Sequence, residues 1–147
     1  LVLVEVEKSI KNAMEAKKRH PFWCFLHFTR NFSFATLSVA FFIDNKGVTV
    51  EPAIVRGILA QIYLRKYKGG AVGYDVRPGK ITEDMILEAG GRPFLTKVGH
   101  SLIKEKSREE NAVFSGESSG HYFIKADFGF FEMPAIIILE FFFMILN

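Results

Sequence analysis

Polar and apolar residues alternate along this chain with two periods, one helical and one strand-like. Glu5–Arg19 has helical spacing, with Val6, Ile10, Ala13 and Met14 on one side and Lys8, Lys11, Glu15, Lys17 and Lys18 on the other. His20-Pro21 ends that helix. Pro21–Ala40 is aromatic and irregular and reads as one or two strands. Val39–Ile43 is a predicted strand, Asp44-Asn45-Lys46-Gly47 a hairpin turn, and Val48–Val50 the returning strand. Beside Asn-Lys-Gly, Asp44 takes a turn role rather than that of a metal ligand. Glu51-Pro52 opens a helix, because a first-turn proline has no needed N–H to lose. Its predicted buried stripe is Ile54, Val55, Ile58, Leu59 and Ile62, and Gly69-Gly70 stops it.

From residue 71 strands and helices alternate. Ala71–Val76 is a short apolar run of the inner-strand kind. Thr82 is a candidate cap for a helix through Ala89, with Gly90-Gly91 closing it. Phe94–Val98 is a second strand, followed by a helix from His100 or Ser101 to Glu110. Ala112–Ser115 and Tyr122–Ala126 are the third and fourth strands, and Pro134–Leu146 is the last helix. Such alternation predicts an α/β fold, a three-layer α/β/α domain with helices on both faces of the sheet. The six residues between strands three and four leave no room for a crossover helix. The expected sheet is therefore mixed and four-stranded, with three parallel strands and an antiparallel fourth.

Composition narrows the classes. A chain of 147 residues fits one domain, or one plus part of another, and 49% apolar residues suffice for a core. The net charge of +3 is mild, and basic residues mix with acids in Lys104–Glu110, so no nucleic-acid-binding stripe is expected. A single cysteine, Cys24, excludes an internal disulfide and suits a reducing compartment, the cytoplasm. No segment reads as a secretory signal. Met133–Leu146 is too short for a bilayer span, which needs about 20 residues, so no membrane partner is expected. The 16 phenylalanines include Phe130-Phe131 and Phe141-Phe142, which would form an apolar patch unless covered.

Candidate chemistry concentrates where an open α/β sheet collects ligands, beyond the carboxyl ends of its strands. Three loops are expected there: Arg77-Pro78-Gly79-Lys80, Gly99-His100, and Gly116-Glu117-Ser118-Ser119-Gly120-His121. The last offers a carboxylate, two hydroxyls and an imidazole between permissive glycines, a set suited to a polyhydroxylated ligand such as a sugar. Ordinary readings stand beside these: a polar turn for the hexapeptide, solvated charges for Arg77 and Lys80, a helix cap for His100, a surface acid for Glu117. Ser119, His121 and Glu117 do not make a hydrolase elbow, because a strand follows where a helix is required. His20 and His27 belong to no constellation, and Cys24 reads as an apolar filler.

Four stretches, in order and at matching spacing, carry a resemblance. They are Gly73-Tyr74-Asp75-Val76-Arg77, Glu88-Ala89-Gly90-Gly91-Arg92-Pro93, Thr96–Lys106 and Gly116–His121. From about Phe41 to about Glu140 the chain resembles the third domain of the phosphohexomutases, the phosphomannomutase/phosphoglucomutase family. The resemblance implies residues 48–147 as that sugar-binding domain and residues 1–47 as a remnant of the preceding, metal-loop domain, poorly matching from 20 to 40. It implies a four-domain enzyme that moves a phosphoryl group between the 1- and 6-positions of a hexose, using a phosphoserine and Mg²⁺. The sugar-reading loop G-E-x-S-G-H would be Gly116 to His121, framed by Gly116 and Gly120. Glu117 and Ser119 would meet the sugar 3- and 4-hydroxyls, His121 would support them, Arg77 would be the basic residue after the first strand, and Gly99-His100 would lie near the phosphosugar.

What departs from the family bears on activity. Its serine loop and its fourth-domain phosphate loop are not found, so no catalytic residue is assigned. Its acidic metal loop should precede Phe41, where Phe32–Ala40 contains no acid, so no metal ligand is assigned either. The expectation is a hexose-phosphate recognition domain that does not turn over substrate alone and works with sister domains. A stand-alone hexose-phosphate-binding module and a truncated, inactive product are the alternatives.

Overall fold

A computed structural model describes residues 39–44, 47–77 and 79–146. The helix expected over 5–19, the strands expected before residue 39, and His20, Cys24 and His27 lie outside the described residues. The elements run α1 (Pro52–Lys66), β1 (Ala71–Asp75), α2 (Gly79–Glu88), β2 (Arg92–Thr96), α3 (His100–Glu109), β3 (Ala112–Gly116), β4 (Tyr122–Ala126), β5 (Gly129–Glu132) and α4 (Pro134–Leu146).

The sheet order is β2-β1-β3-β4-β5. Strand β1 pairs in parallel with β2 and β3, and β4 runs antiparallel to β3. The α/β class and the mixed sheet are as expected; the count of four strands is corrected to five. Strand β5 pairs antiparallel with β4 from Phe123↔Glu132 to Ala126↔Gly129. Four residues are too few to show a period of two in sequence. A two-residue turn, Asp127-Phe128, returns the chain onto β4, and Gly129, at φ +149°, opens the new strand opposite Ala126.

Side chains of β1, β3, β4 and β5 divide between two cores, with a bulge at Val113 breaking strict alternation in β3. Val72, Tyr74, Phe114, Tyr122 and Ile124 join α1, α2 and α4 in the larger one. Ala71, Ala112, Phe123 and Phe130 join Ile103 of α3 on the other face. This is the three-layer arrangement, with β1 buried along its whole length.

Local differences have local causes. Helix α2 begins three residues before Thr82, and the Thr82 hydroxyl instead donates to the Ala53 carbonyl of α1 at 2.9 Å. Helix α1 is buried on more than the expected stripe. Ala53, Arg56, Gly57, Ala60 and Tyr63 point inward, while Ile54 and Ile62 are only half-buried. The predicted 39–50 hairpin reduces to one bridge, Ile43↔Thr49. Asp44 does take its turn role, accepting the Val48 N–H at 2.9 Å. Of the four phenylalanines flagged as a patch, Phe130 and Phe141 are buried and Phe131 and Phe142 half-buried, whereas Phe128 and Phe143, outside that set, are exposed. No helix among the described residues is long and apolar enough to cross a membrane.

Candidate functional site at the carboxyl ends of the parallel strands

Strands β1 and β3 end at Asp75 and Gly116, and the turn after β2 contains Gly99. Side chains from these three ends bond to one another. Asp75 carries no exposed surface, yet its carboxylate gathers donors from three segments. Arg56 Nη1 of α1 donates to Oδ1. Ser118 donates to Oδ2 through its amide at 3.0 Å and its hydroxyl at 2.6 Å. Arg77 Nη2 lies 3.4 Å from the same oxygen. Burial pushes the Asp75 carboxyl up, but the Ser118 hydroxyl and amide and the Arg56 guanidinium outweigh it and hold it below the usual carboxylate range. Arg56, equally buried, also donates to the Arg77 carbonyl at 2.9 Å. One buried ion pair thus fixes both the loop after β1 and the loop after β3.

The hexapeptide closes on itself, Glu117 N–H donating to the His121 carbonyl at 2.8 Å and Gly120 N–H to the Glu117 carbonyl at 3.1 Å. Gly120 has φ +84°, and a Cβ there would stand 2.9 Å from Val39 Cγ1 and 3.0 Å from the Ala40 carbonyl, so only glycine fits. Glu117 is buried, its Oε1 accepting the Gly99 N–H at 2.7 Å and its Oε2 the Ser119 hydroxyl at 3.3 Å. That carboxylate ties the second loop to the third.

His100 opens α3, but its side chain is not the helix cap; Gly99 is the N-cap residue. The imidazole faces His121, Nε2 to Nδ1 3.0 Å, with the rings edge-on at 4.2 Å between centroids. Glu132 of β5 completes this group. Its Oε1 lies 2.6 Å from His121 Nδ1 and its Oε2 3.5 Å from His100 Nδ1.

The geometry therefore brings Arg77, Gly99, His100, Gly116, Glu117, Ser119, Gly120 and His121 to one rim. Lys80 goes elsewhere, pairing with Asp84 at 2.7 Å on the exposed surface of α2. Sequence reasoning gave no role to Arg56 or Glu132, counted Ser118 only as one of the two hydroxyls of the hexapeptide, and quoted Asp75 only as part of a motif. Arg56 did leave a trace: it sits among Ala53, Gly57 and Ala60 on an inward face, and a buried cation requires a counter-ion. Glu132 left none, because β5 was not recognised.

A mixed sheet covered on both faces, with polar loops bonded together at its carboxyl rim, defines a three-layer α/β/α domain. Residues 52–135 match the family described as phosphoglucomutase/phosphomannomutase, alpha/beta/alpha domain III. The chain belongs to this family. It is 43% identical over 104 residues to a protein of Xanthomonas campestris pv. campestris named phosphohexose mutases, covering 68% of this chain and 23% of that one. It is 35% identical over 103 residues to the phosphomannomutase of Escherichia coli K12, covering 68% and 22%. A crystal structure of a phosphoglucomutase/phosphomannomutase family protein from Burkholderia thailandensis superimposes with TM-score 0.59 at 33% identity, over 64% of this chain and 21% of that one. The chain thus matches less than a quarter of the length of these relatives.

The Mg²⁺ implied by the family does not fit the donors that converge among the described residues. Among the described residues, the group able to converge on one ion is His100, Glu117 and His121. Two imidazoles and one carboxylate are a poor match for a hard cation that prefers oxygen ligands in octahedral array.

Proposed function

We propose that this domain recognises a hexose phosphate as the third domain of a phosphoglucomutase/phosphomannomutase, and that the chain alone does not transfer phosphoryl groups. The carrying observation is the mutual bonding of three strand-end loops through Asp75 and Glu117. In this reading residues 48–147 are the recognition domain and residues 1–47 belong to the domain before it. Arg77, exposed over 57% of its side chain, and His100 at the start of α3 supply cationic and N–H groups for the phosphate. Ser119 and Glu117 meet the sugar hydroxyls. Glu117 is buried in the free domain, so a sugar hydroxyl takes the place of the Ser119 hydroxyl on Oε2, where the existing 3.3 Å contact is the weakest in the loop. An ionised carboxylate has about four acceptor sites, so the Gly99 bond survives that exchange.

Calorimetric titration of the chain with mannose 1-phosphate and glucose 1-phosphate tests the recognition. Saturable binding that Glu117→Ala and Ser119→Ala weaken at least tenfold is the expected result. Wild-type affinity in both variants would remove the reading. A coupled mutase assay of the purified chain should give no turnover, and measurable turnover would refute the second half of the proposal.

A further inference from the structure

We infer that a second copy of this chain pairs with the free edge of β2, the two copies being related by a two-fold axis beside Leu95. Strand β2 stands at one end of the sheet and bonds to β1 alone. The Arg92 N–H donates to the Gly70 carbonyl at 2.9 Å, so Arg92, and by alternation Phe94 and Thr96, turn their peptide groups toward β1. Pro93, Leu95 and the following Lys97 therefore turn theirs outward. Beside that edge lies an open groove of about 350 Å³, lined by Leu95, Lys97, Leu102, Glu105, Lys106 and Glu109. Leu95 is 56% exposed and Leu102 43%. Exposed leucines next to an unpaired strand edge mark a place for another chain.

Both the backbone and the charges of this edge complement themselves, which selects a second copy over a foreign strand. In an antiparallel pair centred on Leu95, each Leu95 exchanges N–H and carbonyl with its mate. Each Lys97 N–H then meets the Pro93 carbonyl of the other copy. Pro93 has no N–H to leave unpaired at this edge, the position in a sheet where proline is tolerated. Lys106 is already paired with Glu109 and Glu110. That leaves Lys97 and Glu105 as the groove's unpaired charges among the described residues. The two-fold carries Lys97 of one copy toward the α3 flank of the other, where Glu105 stands, and symmetry repeats the contact. Pairing uses up β2 in both copies, so the assembly closes at two chains. Strands this short place the contact at the low end of specific interfaces, below about 1,200 Å², so the dimer should dissociate on dilution. It stands whether or not a sugar binds at the rim.

Sedimentation equilibrium of the 147-residue chain is the test, at protein concentrations from about 10 μM to 1 mM, where weak interfaces are populated. The mass should rise from one chain to two. Leu95→Pro removes the central N–H, which faces away from β1, and should weaken association roughly tenfold or more with the near-UV spectrum unchanged. Lys97→Glu should weaken it too. Lys97→Glu combined with Glu105→Lys should restore it, a rescue that unspecific contact through exposed phenylalanines would not give. A single-chain mass throughout would leave the groove to another occupant and overturn the inference, as would association unchanged in Leu95→Pro. Should the variants misfold, hydrogen exchange of the wild-type chain decides. The Leu95 amide should exchange more slowly as concentration rises, and a rate independent of concentration would overturn the assignment.

Discussion

Asp75→Asn changes one atom in the group that holds the rim together. Asp75 faces donors from Arg56, Arg77, and the amide and hydroxyl of Ser118. Its acid accepts from all of them; an asparagine presents one carbonyl and turns an NH₂ toward the remaining donors. The Arg56 cation, buried with only 1% of its side chain exposed, is left without its counter-charge. Removing one partner of a buried ion pair costs about 3–5 kcal/mol. Since small domains are stable by roughly 5–15 kcal/mol, about a fifth or more of the total should disappear. Urea unfolding followed by circular dichroism measures this. Replacing both partners, as Arg56→Met with Asp75→Leu, should recover a large share, because no orphaned charge remains. The same pair sets an acid dependence. The folded carboxyl titrates below its unfolded value of about 3.9. Its stabilisation is therefore present above pH ~4 and is lost as pH falls through the folded value. A loss under about 1 kcal/mol in Asp75→Asn, or an acid limb unchanged by that substitution, would refute the reasoning.

Two further substitutions probe the core. The Tyr63 hydroxyl is buried without a hydrogen-bond partner, its ring stacked on Phe114 at 5.3 Å, and burial together with the nearby Glu140 pushes its phenol well above the ordinary range. Tyr63→Phe keeps the stack and deletes the desolvated group, so thermal unfolding should show no loss and a gain of about 1 kcal/mol or more; a clear loss would mean the hydroxyl is satisfied. A Cβ at Gly73 would stand 2.4 Å from Ser115 Oγ and 2.8 Å from the Phe94 ring, and the Ser115 hydroxyl is bonded to Ser107 at 2.7 Å. Gly73→Ala should destabilise by about 1–3 kcal/mol in chemical denaturation, and unchanged stability would show that β1 and β3 can part at no expense.

Apart from β5, the order of elements from residue 71 onward, the parallel pairing and the rim as the place for polar loops were all legible in the chain. Periodicity and glycine turns are local signals, and topology then admits few arrangements. Helix α4 lay at Pro134–Leu146 as its apolar run indicates. What the chain alone left undetermined was pairing at a distance. Arg56 and Asp75 are 19 positions apart, and Ser118 is 43 beyond Asp75. Neither separation has a period, because each contact depends on how α1 crosses the sheet. Strand β5 exists because β4 offers it an edge, and with it came Glu132 and the orientation of two histidines. Residue types supplied the chemistry of the rim; burial, which only the packed structure sets, decided which carboxylate holds the loops and which groups stand open to a ligand.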